Sequence, residues 1–202
     1  NHLLSSAQLP DFTESQELEK LPILYIVGLP RSGTTLLSQI VSRHLPLGYI
    51  NNLIARFWLR PSVGIRLSQA VLGNDARKYI STHSEHGTTI GPYEPHEFGY
   101  FWWHWLKLGQ APTHHLSDEM LSSLDAHGLK NALEKEILAT FNAPVVFKNV
   151  ICGFHAAFLT RLHPLSIFAY IKRDLFALSA SIKNARKERY GSYLVCWSLK
   201  PS

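Results

Sequence analysis

The sequence predicts an α/β fold, a three-layer arrangement in which a parallel sheet carries helices on both faces. Three observations carry this expectation. Short apolar runs recur at 23–27, 144–148 and 166–171, separated by stretches of helical spacing. Each run is apolar on successive positions, as a strand covered on both faces must be. The first run also leads straight into a Gly-Pro-Arg-Ser-Gly loop and an amphipathic segment at 35–41, and strand, tight loop and helix together form the unit that builds anion sites.

Composition sets the outer bounds. The chain has 202 residues, 46% apolar and 17% charged, which fits a globular protein with a sizeable core and excludes a disordered one. We expect one domain over 1–202, with 1–21 as a lead-in segment. No apolar run reaches the ~18 residues of a membrane span. The formal net charge is +5, and much of the excess lies at 183–189, KNARKER. Without a nucleic-acid reader motif that cluster reads as a solvated helix face, so no nucleic-acid partner is expected. Cys152 and Cys196 are far apart and form no CxxC pair, as expected of reduced thiols in a cytoplasmic protein. The chain opens on Asn1, shows no signal peptide and stops abruptly at Ser202, which suggests a trimmed form of a longer protein. Oligomeric state is not legible.

Along the chain, the first helix is expected at 35–44, stopping before Pro46. A short strand at 48–50 follows, then a helical region at 52–73 interrupted by Pro61 and a turn at 73–75. Residues 81–92 form a polar loop. Pro95 fits the first position of a helix, with Glu94 as N-cap and Glu97 as its N3 residue. The aromatic run 100–105 reads either as core or as a wall for a substrate. A helix is expected from Ser117, as N-cap, to about Phe141, with Gly128 as a possible break. Further helices are expected at 154–162 and 174–190.

The glycine loop has the spacing G-x-x-x-x-G-T-T from Gly28 to Thr35. A nucleoside-triphosphate loop would carry Lys where Thr34 stands. The cation has moved back to Arg31, a permanently charged fork suited to phosphate. Ser32, Thr34 and Thr35 supply hydroxyls, and Gly33 leaves the backbone free to curl toward an anion. Lacking the lysine, this loop is poorly equipped for a γ-phosphate with Mg²⁺, yet it can hold a shorter anion.

The stretch Pro30-Arg31-Ser32-Gly33-Thr34-Thr35 resembles the 5′-phosphosulfate loop of the sulfotransferases that use 3′-phosphoadenosine 5′-phosphosulfate (PAPS), leaving 3′-phosphoadenosine 5′-phosphate (PAP). A second signature is similar too: Arg173 at a strand end, followed eight residues on by Ser181, matches the family's 3′-phosphate motif, with Leu175 where the family usually has Pro. Lys148, at the end of the second long strand, falls where many members place a lysine that steadies the sulfuryl group. Val150 stands where the small-phenol branch has its catalytic His, and Leu36 where that branch stacks adenine on Trp. The late Arg-Lys-Gly loop of that branch does not occur before Ser202. The likeness, over about 22–181, is nearer the broad bacterial and carbohydrate-type branch. It implies a P-loop-type fold, PAPS as co-substrate, Arg31, Ser32, Gly33, Thr34, Thr35, Arg173 and Ser181 as donor-binding residues, and Arg31 and Lys148 as stabilisers of the leaving phosphate.

Sulfuryl transfer needs a base for the acceptor hydroxyl or amine. Val150 cannot serve. Other branches use a glutamate, which makes Glu97 the first candidate and Glu94 the second, with His96 and His155 as alternatives. The acceptor, whether small molecule, carbohydrate or lipid, cannot be read. His83, Glu85 and His86, like His114 and His115, match no closed zinc set, so no metal is expected. Two other readings stay open: a P-loop nucleotide kinase or NTPase, and a non-catalytic relative that binds PAPS or PAP.

Overall fold

The structure is a computed structural model and describes residues 21–73, 76–84, 87–111 and 113–195. Residues 1–20 of the lead-in expected over 1–21, Asn74 and Asp75 of the expected turn, Glu85 and His86 of the His-rich loop, and Cys196 lie outside the described residues.

The central strand β1 (Ile23–Gly28) pairs in parallel with both of its neighbours. The short β2 (Gly48–Tyr49), β3 (Val145–Lys148) and β4 (Ser166–Ile171) complete a four-stranded sheet of order β2-β3-β1-β4. Ile26 lies opposite Lys148, and Gly28 opposite Ile171. The carboxyl ends of three adjacent strands therefore open at one edge, between strands whose chain order reverses, where open α/β sheets bind ligands.

Alternation along β1 builds two cores, as strand geometry requires. Ile23, Tyr25 and Val27 enter the larger one with Phe101, Trp102, Leu133, Ile137, Val145 and Phe147. Ile26 faces the opposite layer with Val41, Tyr49, Ile80 and Val146. Each fully buried Ile of this kind is worth about 1.5–3 kcal/mol. β1 and β3 are covered on both faces, as their apolar runs imply, whereas the edge strand β4 leaves Ile167 and Tyr170 exposed, because it has a strand neighbour on one side alone and less packed over it.

Helix α1 (Thr34–His44) follows the glycine loop, and Arg43 and His44 in its last turn complement the helix dipole. Helix α2 (Pro61–Leu72) starts on Pro61, after a 3₁₀ turn at Ile54–Phe57. Helix α3 (Gly99–Trp105) holds the aromatic run. Ser117 caps α4 (Asp118–Ser122), its hydroxyl accepting from the Met120 amide at 3.3 Å. The chain then breaks, and Asp125 caps α5 (Ala126–Asn131), accepting from the Gly128 amide at 2.8 Å. The segment continues as a π-helical stretch, Ala132–Leu138, and the single turn α6 (Ala139–Phe141). Helix α7 (Ala156–Leu162) precedes β4, and α8 (Leu175–Tyr190) follows it, capped by Asp174, whose carboxylate accepts from the Ala177 amide at 2.8 Å.

Two expectations are corrected. No helix starts at Pro95. Residues 94–96 instead run alongside the chain after β2: Asn51 bridges Pro95, the Asn52 amide donates to the Glu94 carbonyl at 3.0 Å, and the His96 amide to the Ile50 carbonyl at 2.8 Å. These extended pairings claim backbone groups that a helix would need, so Glu94 is not an N-cap and Glu97 is not an N3 residue. The long helix expected over 117–141 is also split, and the break falls at Ser123–Asp125 rather than at Gly128. Gly128 sits inside α5, where a Cβ would come within 2.7 Å of Trp105, so it answers a close packing contact.

Candidate active site

The glycine loop leaves β1 through Gly28. A Cβ there would meet Ser32 Oγ at 2.7 Å and the Ile171 carbonyl at 2.9 Å, so only glycine lets the loop pass under β4. Arg31 and Gly33 both adopt positive φ, 72° and 103°. This backbone folds the loop into a concave nest ahead of α1. Gly33 caps α1 without a side-chain hydrogen bond, and the first turn carries no acid. Ser32 Oγ is buried and makes no hydrogen bond within the protein. A bound phosphate would meet all three needs: helix-start N–H donors, a positive dipole end and an orphaned hydroxyl. The loop thus has the features of a phosphate site.

The second signature reaches the same loop. Arg173 Nη1 donates to the Arg31 carbonyl at 2.7 Å, and Arg31 Nε donates to Ser181 Oγ at 3.1 Å. Asp174 starts α8 immediately after Arg173, and two turns of helix then bring Ser181 back over the loop. A cavity of about 210 Å³ lies over this junction, lined by Arg31, Gly33, Thr34, Thr35, Lys148 and Arg173, with Leu36 and Val150 contributing apolar surface.

A larger cleft of about 1060 Å³ adjoins it, and Thr35, Gly87, Glu97 and Lys148 line both. At that boundary Lys148 Nζ donates to Glu97 Oε1 in a charge-assisted pair. The two ends of the pair differ in exposure: the lysine side chain is 7% exposed and the glutamate 44%. Glu97 is therefore the member open to an incoming molecule. Asn149 fixes its backbone, donating from Nδ2 to the Glu97 carbonyl at 2.9 Å, while its own Oδ1 accepts from the Ile151 amide.

Glu94 is placed differently. It is buried, and both carboxylate oxygens are engaged: Oε1 accepts from the Ser81 amide at 2.6 Å, and Oε2 from Gln39 Nε2 at 3.0 Å. Gln39 also donates to the His83 carbonyl at 2.9 Å, so this cluster ties α1 to the loop at 81–84.

His96 lines the larger cleft, and its Nδ1 accepts from the Phe98 amide at 2.8 Å. A ring nitrogen that accepts from an amide carries no proton, so the neutral ring is protonated at Nε2. Burial lowers the His96 pKa; the Glu97 carboxylate opposes this and Lys148 adds to it. His96 is thereby held as a neutral Nε2–H donor rather than a base. His155 lines neither cavity. Its Nε2 bonds to the His114 carbonyl at 3.1 Å, and burial lowers its pKa as well.

The aromatic run divides between its two readings: Phe101 and Trp102 are core, whereas Tyr100 is exposed and lines the large cleft beside Trp58. Among the described residues no group of three or more His, Cys, Asp or Glu is arranged to hold a metal ion. Cys152 is a free, fully buried thiol whose pKa burial raises well above its ordinary value. Among the described residues no helix is long and apolar enough to cross a membrane. Sequence reasoning missed Gln39, Asn149 and Gly87. A polar residue on the inward face of α1 was a signal for Gln39; Gly87, whose backbone (φ 85°) lies over Thr35, gave none.

A parallel sheet with a glycine-rich loop and an uncapped helix start at its carboxyl edge defines a P-loop-like α/β fold. Residues 22–197 match the model of the sulfotransferase family, and the chain belongs to that family. Among solved structures it is similar to the sulfotransferase STF1 from Mycobacterium tuberculosis H37Rv, with 16% identity and a TM-score of 0.48. The match covers 87% of this chain and 52% of that one, so the chain spans about half the length of that protein. No curated protein gives a significant match.

Proposed function

We propose that the chain transfers a sulfuryl group from PAPS to a hydroxyl or amine acceptor. The observation that carries this reading is the contact of Arg173 and Ser181 with Arg31: two stretches suited to separate phosphates flank one cavity. The loop residues Arg31, Ser32, Gly33, Thr34 and Thr35 hold the 5′-phosphosulfate end. Arg173 and Ser181 hold the 3′-phosphate through charge-assisted and hydroxyl hydrogen bonds.

In the transfer, the acceptor oxygen or nitrogen forms a bond to sulfur in line with the breaking bond between sulfur and the 5′-phosphate oxygen. The leaving PAP keeps the electron pair, and the acceptor proton passes to a base. Positioning and electrostatics dominate such a loose transition state. Arg31, Lys148 and the amides at the start of α1 stabilise charge on the leaving oxygen. Glu97 is the base, because its carboxylate is exposed at the boundary of the two cavities. Glu94 ranks below it, having both oxygens occupied and little exposure.

The test is transfer from labelled PAPS to a panel of hydroxyl and amine acceptors, run in excess chelator. The reading expects turnover that survives chelation. Mg²⁺-dependent hydrolysis of ATP would instead support the kinase reading. Donor binding without transfer to any acceptor would support a non-catalytic relative.

A further inference from the structure

Glu97 has a neighbour in the large cleft that the transfer chemistry above does not use. His96 lines the same cleft, one residue earlier. It is fixed from behind at two points: its backbone amide donates to the Ile50 carbonyl at 2.8 Å, and ring Nδ1 accepts from the Phe98 amide at 2.8 Å. The second bond closes a turn in which Phe98, buried and aromatic, holds a left-handed backbone with φ 56°. That conformation is uncommon for so large a side chain and persists where surrounding contacts impose it. The imidazole is thereby set in one tautomer, with Nε2–H as its remaining donor.

The other polar groups nearby are already engaged. Asn52 Nδ2 donates to the Thr89 and Gly91 carbonyls at 3.2 and 2.8 Å. Thr89 Oγ1 donates to the Pro95 carbonyl at 3.0 Å, and Lys148 Nζ donates to Glu97. Among the described residues no group accepts from His96 Nε2. A ligand that expels water from this part of the cleft must supply an acceptor for that N–H or leave it unpaired. The neutral ring gives direction without charge, so it does not compete with Lys148 for the Glu97 carboxylate.

We propose that His96 sets acceptor specificity: with the reacting hydroxyl at Glu97, His96 Nε2–H donates to a second oxygen carried on the adjacent carbon. The acceptor class is then an alcohol with an ether, hydroxyl or carbonyl oxygen beside its reacting hydroxyl, two adjacent residues reading two adjacent oxygens. The proposal rests on the sulfotransferase reading above and adds a specificity-determining residue to that same cleft.

The test uses protein saturated with PAP and two alcohols of nearly equal shape, trans-2-methoxycyclohexanol and trans-2-ethylcyclohexanol, which differ in the oxygen beside the hydroxyl. NMR titration measures their affinities. Wild type should bind the methoxy alcohol about fivefold to tenfold more tightly, the worth of one neutral hydrogen bond. His96→Asn keeps an oxygen near the position of Nδ1, and with it the Phe98 contact, but lacks the Nε2 donor. It should bring the ratio close to one with the melting temperature and PAP affinity unchanged. His96→Gln does the reverse, placing an amide nitrogen near the position of Nε2 and losing the Phe98 contact. It should retain a ratio of about threefold or more at a lower melting temperature. Equal affinity of wild type for the pair, no binding of either alcohol, or a ratio that follows melting temperature across the variants would overturn the proposal. If PAP itself does not bind, the sulfotransferase reading fails; if PAP binds and the methoxy preference is absent, only the role given to His96 fails.

Discussion

The guanidinium of Arg173 donates to the backbone carbonyl of Arg31 at 2.7 Å, linking the loop after β4 to the loop after β1. Arg31 completes the link through its own side chain to Ser181. Neither contact is local in sequence; both depend on β4 pairing beside β1, which sets Ile171 opposite Gly28. The sheet register is therefore what assembles the site.

Glu97→Gln should lower kcat by about 10²–10⁴-fold, the usual contribution of a positioned general base. Lys148 loses its ion-pair partner in this variant, so PAP affinity must be measured alongside the rate. Undiminished kcat would remove Glu97 from the mechanism.

Glu94→Gln tests a structural role. An amide NH₂ would face either the Ser81 amide or the Gln39 amide, donor against donor. Leaving such a buried group unpaired costs about 1–3 kcal/mol. The melting temperature should fall while kcat per folded molecule holds; a kcat loss as large as that of Glu97→Gln at unchanged stability would reverse the ranking of the two glutamates.

Gly28→Ala should damage the nest. The new methyl would crowd Ser32 Oγ and the Ile171 carbonyl, and overpacking of this kind costs about 1–3 kcal/mol. The loop has to shift, so PAP affinity should drop as well as stability. Gly33→Ala, where a Cβ has open space but φ is 103°, should strain the backbone without that clash.

Stability should decline on the acid side. His96 and His155 both have pKa values held below the ordinary histidine value by burial. The unfolded chain then binds more protons than the folded one, so stability is complete above about pH 6.5 and is lost as pH falls toward the lowered values. The groups facing His96 are Glu97 and Lys148, and those facing His155 are His114 and His115. Thermal melts between pH 7.5 and 5 should show the decline, and His155→Asn should flatten it. A flat wild-type profile would contradict this account.

Much of the frame was legible. The strands at 145–148 and 166–171, the helix stop before Pro46 and the long helix that follows Arg173 were readable from local chemistry; that Asp174 caps this helix rather than lying within it was not foreseen. The segment 94–97 was not, because Pro95 suits a helix start equally well and only the partner chain at 50–52 decides against it. The break at Ser123–Asp125 was hidden for a similar reason: Asp125 caps a second helix inside what reads as one continuous amphipathic pattern. In the site, spacing pointed to both stretches that meet there, at Arg31 and at Arg173 with Ser181, whereas the different surroundings of Glu94 and Glu97 arise from long-range packing of α1 and β3.

The most direct measurement compares PAP with AMP by calorimetry, on wild type and on Arg173→Ala. If Arg173 and Ser181 hold a 3′-phosphate, wild type binds PAP at least about tenfold more tightly than AMP, and Arg173→Ala erases most of that difference. Equal affinity of wild type for the two nucleotides would contradict the account.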